Sequence, residues 1–423
     1  MSGACFSLNV IAFIKCRYIY LDFISNFTVS DTAKPLKPIA FRQNFARALL
    51  GFILKSENTK TTPIIGKPMK SIRVGSALPA YRNRNVPLQI HLPVKENKSI
   101  VILTVPKADS PHSHQKNVGI TLDEHLIFNL LSEKYQHVQI SEIATKSDLR
   151  RVVDRRPDLV FSGVKYFDFG DGKTWLNDFL DQCGIAYMAS NRKALEREAN
   201  KSHAKDIVQK AGVQTARYFK SVPGQHLTET SIPIAFPLFL KPVIGGDSRG
   251  VDAFSYVHDF ASFKAKVLKI YSKQNNTTLA EAYLTGREFT VGVFQDCKTH
   301  NCTTMPVEII ASKNKNGHRI LDFHIKKNDT EQVVAVASAV LRKQLSTMAE
   351  AAFKALGGKS FGRIDIKMDG HNVLHFIEAN LMPGLGQGYF FRSCLLNLNM
   401  SYDQMILRIA ANGLGVSADA AVS

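Results

Sequence analysis

At 423 residues with 45% hydrophobic side chains, the chain is long enough for two or three packed units and too long for a single small module. The formal net charge is +18, but residues 1–98 hold 15 Lys+Arg against 4 Asp+Glu, so that quarter carries +11 and the rest only +7. A basic nucleic-acid binder is excluded on that distribution and on the lack of aromatic and basic residues interleaved in a sheet motif, and six widely spread cysteines do not make the disulfide framework of a small secreted domain.

Residues 1–98 read as a basic N-terminal extension, irregular or targeting. Cys5 to Phe27 is apolar and aromatic, but Lys15, Arg17 and Asp22 interrupt it before the roughly 18 uncharged residues of a spanning helix, so no membrane span is expected. An acid-poor leader also suits an organelle transit segment, and that alternative stays open. Residues 28–97, rich in Pro, Lys, Arg and Asn, show no sustained periodicity. Folded chain is expected from Ser99. SIVILTV is a strand, LDEHLIFNLLSEKY a helix with Leu122, Leu126, Leu130 and Leu131 at helical spacing, and HVQISEI a strand. SDLRRVVDRR follows as a helix, DLVFSGV as a strand, TWLNDFLDQCG as a helix ending at Gly184, and IAYMAS as a strand. Such alternation predicts a small parallel sheet with crossover helices over 99–190.

From Asn191, RKALEREANKSHAKDIVQKAG reads as one helix ending at Gly212. TARYFKSV and the apolar strand FPLFLKPV follow, then the loop IGGDSRGVD with Gly245, Gly246 and Gly250. SYVHDFASFKAKVLKIY is a helix, and TTLAEAYL and GREFTVGVF are strands about a tight turn at Gly286. MAEAAFKALGG is a helix capped by Gly357, RIDIKMDGHNVLHFIEAN a hairpin turning at Asp369-Gly370, and SYDQMILRIAANG a closing helix.

The hairpin carries the chemistry. A period of two sets Arg363 and Asp365 on one face of the first strand and Glu378 and Asn380 on one face of the second. Two carboxylates and an amide oxygen are the hard ligands Mg²⁺ takes when phosphates complete its shell; a solvated polar face is the plainer alternative. Lys241, at a strand end before a glycine-rich loop, can meet a phosphate that backbone N–H groups also cradle, although no Walker A sequence is present. Glu281 and Glu288 bracket AYLTGR, where a strand edge can pair with adenine and a carboxylate can take ribose hydroxyls. Cys297, His300 and Cys302 in CKTHNC lack a second pair of ligands at zinc spacing and read as a hairpin tip with free thiols.

In the order FLKP, glycine-rich loop, LAEAYLTGREFTVGV, GRIDIKMDG and FIEANLMPGLGQ, the chain from about Ser99 to Gly413 resembles the ATP-grasp fold and, within it, the D-alanine-D-alanine ligase family. The resemblance implies an α/β chain: a small parallel-sheet domain over 99–190, then a two-lobed ATP-grasp domain of α+β type. Its central subdomain spans 191–285 and its C-terminal subdomain 286–415, with a tail over 416–423. It implies an ATP-dependent carboxylate-amine ligase working through an acylphosphate, with release of ADP and phosphate; the alternative is a non-catalytic ATP-binding relative. Lys201 and Lys241 would bind phosphates, Glu281 with the backbone of Ala282, Tyr283 and Leu284 would hold adenine, and Glu288 the ribose. Asp365, Glu378 and Asn380 would ligate Mg²⁺, two ions being expected and Mn²⁺ an alternative. Arg363, Lys326, Ser248 and the Gly384 N–H would serve catalysis. Partners would be small carboxylates and amines such as amino acids or peptides, with no nucleic acid and no membrane. A homodimer and a cytoplasmic location fit the family.

Several positions depart from the family pattern. The GGxSxE signature is missing where SIVILTV runs into PKADSPHSHQKNVG, and KYFDFGDG stands for HGxxGEDG. Asp247 replaces a serine, Lys327 a tyrosine, and Tyr389 the serine that binds the second D-alanine's carboxylate. D-alanine is therefore not the expected preferred substrate. A larger one, or one with an added carboxylate facing Lys327, is expected.

Overall fold

The computed structural model describes residues 94–106, 116–246, 250–312 and 330–416. The basic leader, Asp247, Ser248, Lys326 and Lys327 lie outside the described residues. The first strand, β1 (Glu96–Thr104), begins ahead of the expected Ser99, so the boundary drawn at 98/99 falls inside it.

Ile100 to Leu103 of β1 are buried on both faces, as befits a central parallel strand. After β2 (Lys116–Gly119) comes α1 (Glu124–Lys134), capped by the Asp123 carboxylate, which accepts from Leu126 N. Then follow β3 (Tyr135–Glu142), α2 (Lys146–Asp154) with a Thr145/Asp148 capping box, and β4 (Leu159–Phe161). Strands β3, β1 and β4 form the expected parallel sheet.

Two local expectations fail. DLVFSGV is not one strand: Ser162 Oγ accepts from Val164 N, and a Cβ on Gly163 would lie 2.3 Å from Ile120 O, so the chain bends there. It leaves the parallel sheet and enters β5 (Val164–Asp168), which pairs antiparallel with β2 and β6 (Lys173–Trp175). IAYMAS follows α3 (Leu176–Cys183) and its left-handed Gly184 cap, but makes only one bridge, Tyr187 to Val160, because Ala189 turns to φ +69.

The single helix expected over 192–212 is two, α4 (Arg192–Ala199) and α5 (Lys201–Lys210). Asn200 breaks them with extended backbone, and its side chain accepts from His203 N to cap α5. Next come β7 (Tyr218–Ser221), β8 (Leu238–Pro242), β9 (Tyr256–Val257), α6 (Phe260–Gln274) and β10 (Thr278–Ala282). The sheet order is β7-β10-β8-β9, with Phe263 and Val267 of α6 packed on Leu238 and Leu240.

The second lobe holds β11 (Glu288–Gln295), β12 (Cys302–Ile310), β13 (Gln332–Ala335), α7 (Ala339–Leu356), β14 (Phe361–Met368) and β15 (Leu374–Asn380). α8 (Tyr389–Leu398) and α9 (Tyr402–Gly413) close it. The antiparallel order is β13-β12-β11-β14-β15. Gly357 ends α7 at φ +81, as the sequence suggested.

The β14–β15 turn is longer than the expected two residues. Asp369 closes it, its Oδ1 accepting from His371 N and Val373 N, while Oδ2 meets His375 Nε2 at 3.1 Å. The His375 bond, then those backbone N–H groups, hold the Asp369 carboxyl down at about 2. That value lies below the unfolded value of about 3.9, so the stabilisation is present above that pH and is lost as pH falls toward 2. The expected result is that Asp369→Asn has a lower melting midpoint than the parent at pH 5, with the difference closing near pH 2. A constant difference across that range would show that Asp369 acts without its charge.

Among the described residues no helix is long and apolar enough to cross a membrane.

Candidate active site

The site face is set by strand register. β14 pairs with β15 so that Arg363 faces Asn380 and Asp365 faces Glu378, with an irregularity just after Asp365. On its other side β14 pairs with β11, setting Lys367 against Glu288 and Asp365 against Thr290. Asp365 is 8% exposed and is the hub. Its Oδ1 accepts from Thr290 Oγ1 at 2.5 Å and Arg363 Nε at 3.0 Å, and its Oδ2 from Arg363 Nη2 at 3.0 Å and Asn380 Nδ2 at 3.4 Å. A two-toothed guanidinium contact of this kind fixes both partners' orientation.

A cleft runs from this face to the β10 hinge, lined by Lys205, Lys241, Glu281 to Leu284, Glu288, Asp365, Lys367 and Glu378. Glu281 is buried between two ammonium groups, Lys205 Nζ at 2.6 Å and Lys241 Nζ at 2.7 Å. Lys205 also donates to Thr215 Oγ1 at 2.5 Å and to the Phe376 carbonyl at 3.2 Å, which ties α5 to β15 across the cleft floor. Burial pushes the Lys205 ammonium below its ordinary value against the pull of Glu281. Burial opposes the charge of Lys241 as well, but Glu281 and Glu378 outweigh it and lift Lys241. Burial alone would raise Glu281, and the two lysines bring it below its usual value.

At the hinge, the Ala282 and Tyr283 N–H groups donate to Arg217 O and Pro237 O, so the strand edge is already partly satisfied there. Glu288 Oε2 accepts from Lys367 Nζ at 2.9 Å, and Lys367 lies 6.0 Å from the centre of the Tyr283 ring. Lys201 starts α5 and donates its Nζ to Gly245 O at the base of the glycine-rich loop, outside the cleft lining. The far end of that loop is held by Lys266, which donates to Gly250 O at 2.9 Å and Asp252 Oδ1 at 2.7 Å. Gly250 has φ +84, and a Cβ there would meet Pro242 Cγ at 2.6 Å, so the loop needs glycine at this point.

The structure therefore brings together Lys241, Glu281, Ala282, Tyr283, Leu284, Glu288, Asp365 and Glu378 around one cleft, with Arg363 and Asn380 bonded to Asp365. Gly384 is exposed in the segment that follows β15, and a Cβ there would meet nothing within 4 Å. Ser248 and Lys326 lie outside the described residues. Sequence reasoning missed Lys205, Thr290 and Lys367. The first is four residues from Lys201, on the same side of α5, and Lys367 continues the alternation of Arg363 and Asp365. CKTHNC does form the tip between β11 and β12, with Cys297 and Cys302 as free thiols.

The donor chemistry fits the groups expected here. Lysines facing a hinge and a glycine-rich loop suit a polyphosphate. Among the described residues no three His, Cys, Asp or Glu side chains gather as a metal cluster. The Asp365/Glu378 pair would thus need the Asn380 amide oxygen and phosphate oxygens to complete the shell of a hard divalent ion.

Residues 207–411 match a family model described as the D-ala D-ala ligase C-terminus. A D-alanine--D-alanine ligase of Clostridium beijerinckii is 22% identical over 316 residues, covering 72% of this chain and 96% of that protein. One from Streptococcus uberis is 26% identical over 238 residues, 55% of this chain and 65% of the relative. The solved D-alanine--D-alanine ligase from Bacillus anthracis complexed with ATP superposes with a TM-score of 0.55 at 17% identity, covering 75% of this chain and 97% of its own. The VanG D-Ala:D-Ser ligase from Enterococcus faecalis gives 0.55 at 16%, covering 75% and 100%. At that identity these structures speak for the fold alone. With the motifs in family order and this cleft between the two lobes, residues 207–411 match the D-ala D-ala ligase C-terminus, and the chain as a whole is similar to D-alanine--D-alanine ligases and shares their fold.

Proposed function

We propose that the chain is an ATP-dependent ligase that joins a small carboxylate to an amine, using ATP and Mg²⁺. The observation that carries this reading is the register that sets Asp365 opposite Glu378 and Arg363 opposite Asn380 at the mouth of a lysine-lined cleft. The substrate carboxylate attacks the γ-phosphorus, the bond to ADP breaks, and an acylphosphate results. The amine then attacks the acyl carbon, a C–N bond forms, and phosphate leaves as the amine loses its proton. Catalysis of this kind is positioning and charge neutralisation, with no side-chain nucleophile. Lys241 and Lys201 meet phosphate charge, Glu288 the ribose, and the hinge from Ala282 to Leu284 the adenine. Lys326, Ser248 and the Gly384 N–H complete the transfer region. Arg363 steadies the oxyanion at the acyl carbon. Asp365, Glu378 and Asn380 would hold a divalent ion, two being the expected number, and that ion would neutralise phosphate charge.

The test is ADP release from the full chain with Mg²⁺, against a panel of amino acids, small carboxylic acids and amines, with hydroxylamine added to trap the acylphosphate. ADP release that depends on both a carboxylate and an amine, together with an acyl hydroxamate, is expected. ATP binding without ADP release on any pair would leave the non-catalytic reading. Lys241→Ala should weaken ATP binding by about 1.5 to 3 kcal/mol, the worth of a charge-assisted contact, in a titration of the Mg²⁺-loaded chain. Equal affinity in variant and parent would remove Lys241 from the phosphate site.

A further inference from the structure

Glu331 is a carboxylate only 6% exposed, directly ahead of β13. Its Oε1 accepts a hydrogen bond from the Tyr389 hydroxyl, while its Oε2 is buried and has no hydrogen-bond partner. The Tyr389 ring lies 5.4 Å from the Arg363 guanidinium, which itself is committed to both oxygens of Asp365. Tyr389 thus links Glu331 to the Arg363 end of the site. A buried carboxylate satisfied by one phenol is costly, and the remedies are a proton or a cation.

We propose that Glu331 is a binding residue for a positively charged nitrogen of the amine substrate, and that Tyr389 holds it in position. The inference rests on the ligase reading and gives it a substrate class: a small amine with a second, protonated nitrogen, such as a diamine or a diamino acid. A substrate carboxylate placed here would meet Glu331 with like charge. The extra-carboxylate expectation came from Lys327, outside the described residues, and the described residues favour the opposite sign at this end.

The test is calorimetric titration of 1,3-diaminopropane and of propylamine into the full chain loaded with Mg²⁺ and a non-hydrolysable ATP analogue. The parent should bind the diamine about ten- to a hundredfold more tightly, the range for a hydrogen bond to a charged group. Glu331→Gln should erase that preference while leaving affinity for the ATP analogue unchanged, and Tyr389→Phe, which keeps the carboxylate but not its support, should reduce it. No preference in the parent, or a preference that survives in Glu331→Gln, would overturn the proposal and leave Glu331 a structural group. ADP release is followed in parallel so that the two readings fail separately. A diamine preference that depends on Glu331, without ADP release on any substrate pair, sinks the ligase reading and leaves this contact standing. ADP release with carboxylated amines that is untouched by Glu331→Gln does the reverse.

Discussion

Glu281→Gln is expected to cost the protein about 3 to 5 kcal/mol of folding stability, the range for removing one partner of a buried ion pair. The reason is local. Lys205 is fully buried and Lys241 is 4% exposed, and both ammonium groups meet the one Glu281 carboxylate, at 2.6 and 2.7 Å. Glutamine keeps the shape and a hydrogen-bond acceptor but leaves two like charges facing each other without water. Part of the loss should return at alkaline pH. The Lys205 ammonium already lies below its ordinary value through burial, and without Glu281 it falls further. Between that lowered folded value and the unfolded one near 10.4, the unfolded chain binds more protons, so stability rises with pH through that window. Urea unfolding of the nucleotide-free chain at pH 7 and pH 10 measures both effects. A deficit under about 1 kcal/mol at pH 7, close to that of an exposed pair, would mean that water reaches the triad.

The triad also marks where sequence reading stopped. Glu281 and Lys241 stood out because one precedes the AYLTGR hinge and the other ends a strand beside glycines. Their mutual contact was not legible, since it depends on β10 pairing with β8 in a register that sets Leu279 against Lys241 and Glu281 against Phe239. Lys205 was legible in part: it lies one helical turn after Lys201, but Asn200 had been read as helix interior, which blurred the face. The site face of the hairpin came through because alternation along a strand survives a misjudged turn, and Arg363 and Asp365 do face Asn380 and Glu378. By the same alternation Lys367 belonged with them, and Thr290 with Glu288 on β11, but no phosphate or metal chemistry asked for a buried lysine or threonine there. Glu331 had no local signal at all. Its role follows from a tyrosine 58 positions away that reaches it only once α8 packs on the sheet.

Among the changes that touch chemistry, Glu378→Gln should have the largest effect, lowering kcat/KM for Mg²⁺-ATP by more than about a hundredfold. Loss of a group that merely orients a metal ligand costs 10- to 100-fold, and Glu378 is read as a ligand itself. Asp365→Asn should match it in turnover but is the less clean variant. Asp365 also accepts both teeth of the Arg363 guanidinium and the Thr290 hydroxyl, so its neutralisation leaves a buried arginine without its counter-charge and lowers stability as well. Thr290→Val separates the two roles: it removes one hydrogen bond to Asp365 and leaves every charge, and should cost turnover far less than either carboxylate change. The measurement is steady-state ADP release as a function of total Mg²⁺, alongside ATP binding without the metal. A lost metal ligand predicts a requirement shifted to higher Mg²⁺, with metal-free ATP binding retained because Lys241 and the hinge are untouched. If Glu378→Gln keeps the parent's turnover and Mg²⁺ dependence, the paired carboxylates are a solvated strand face and the metal site lies elsewhere in the cleft.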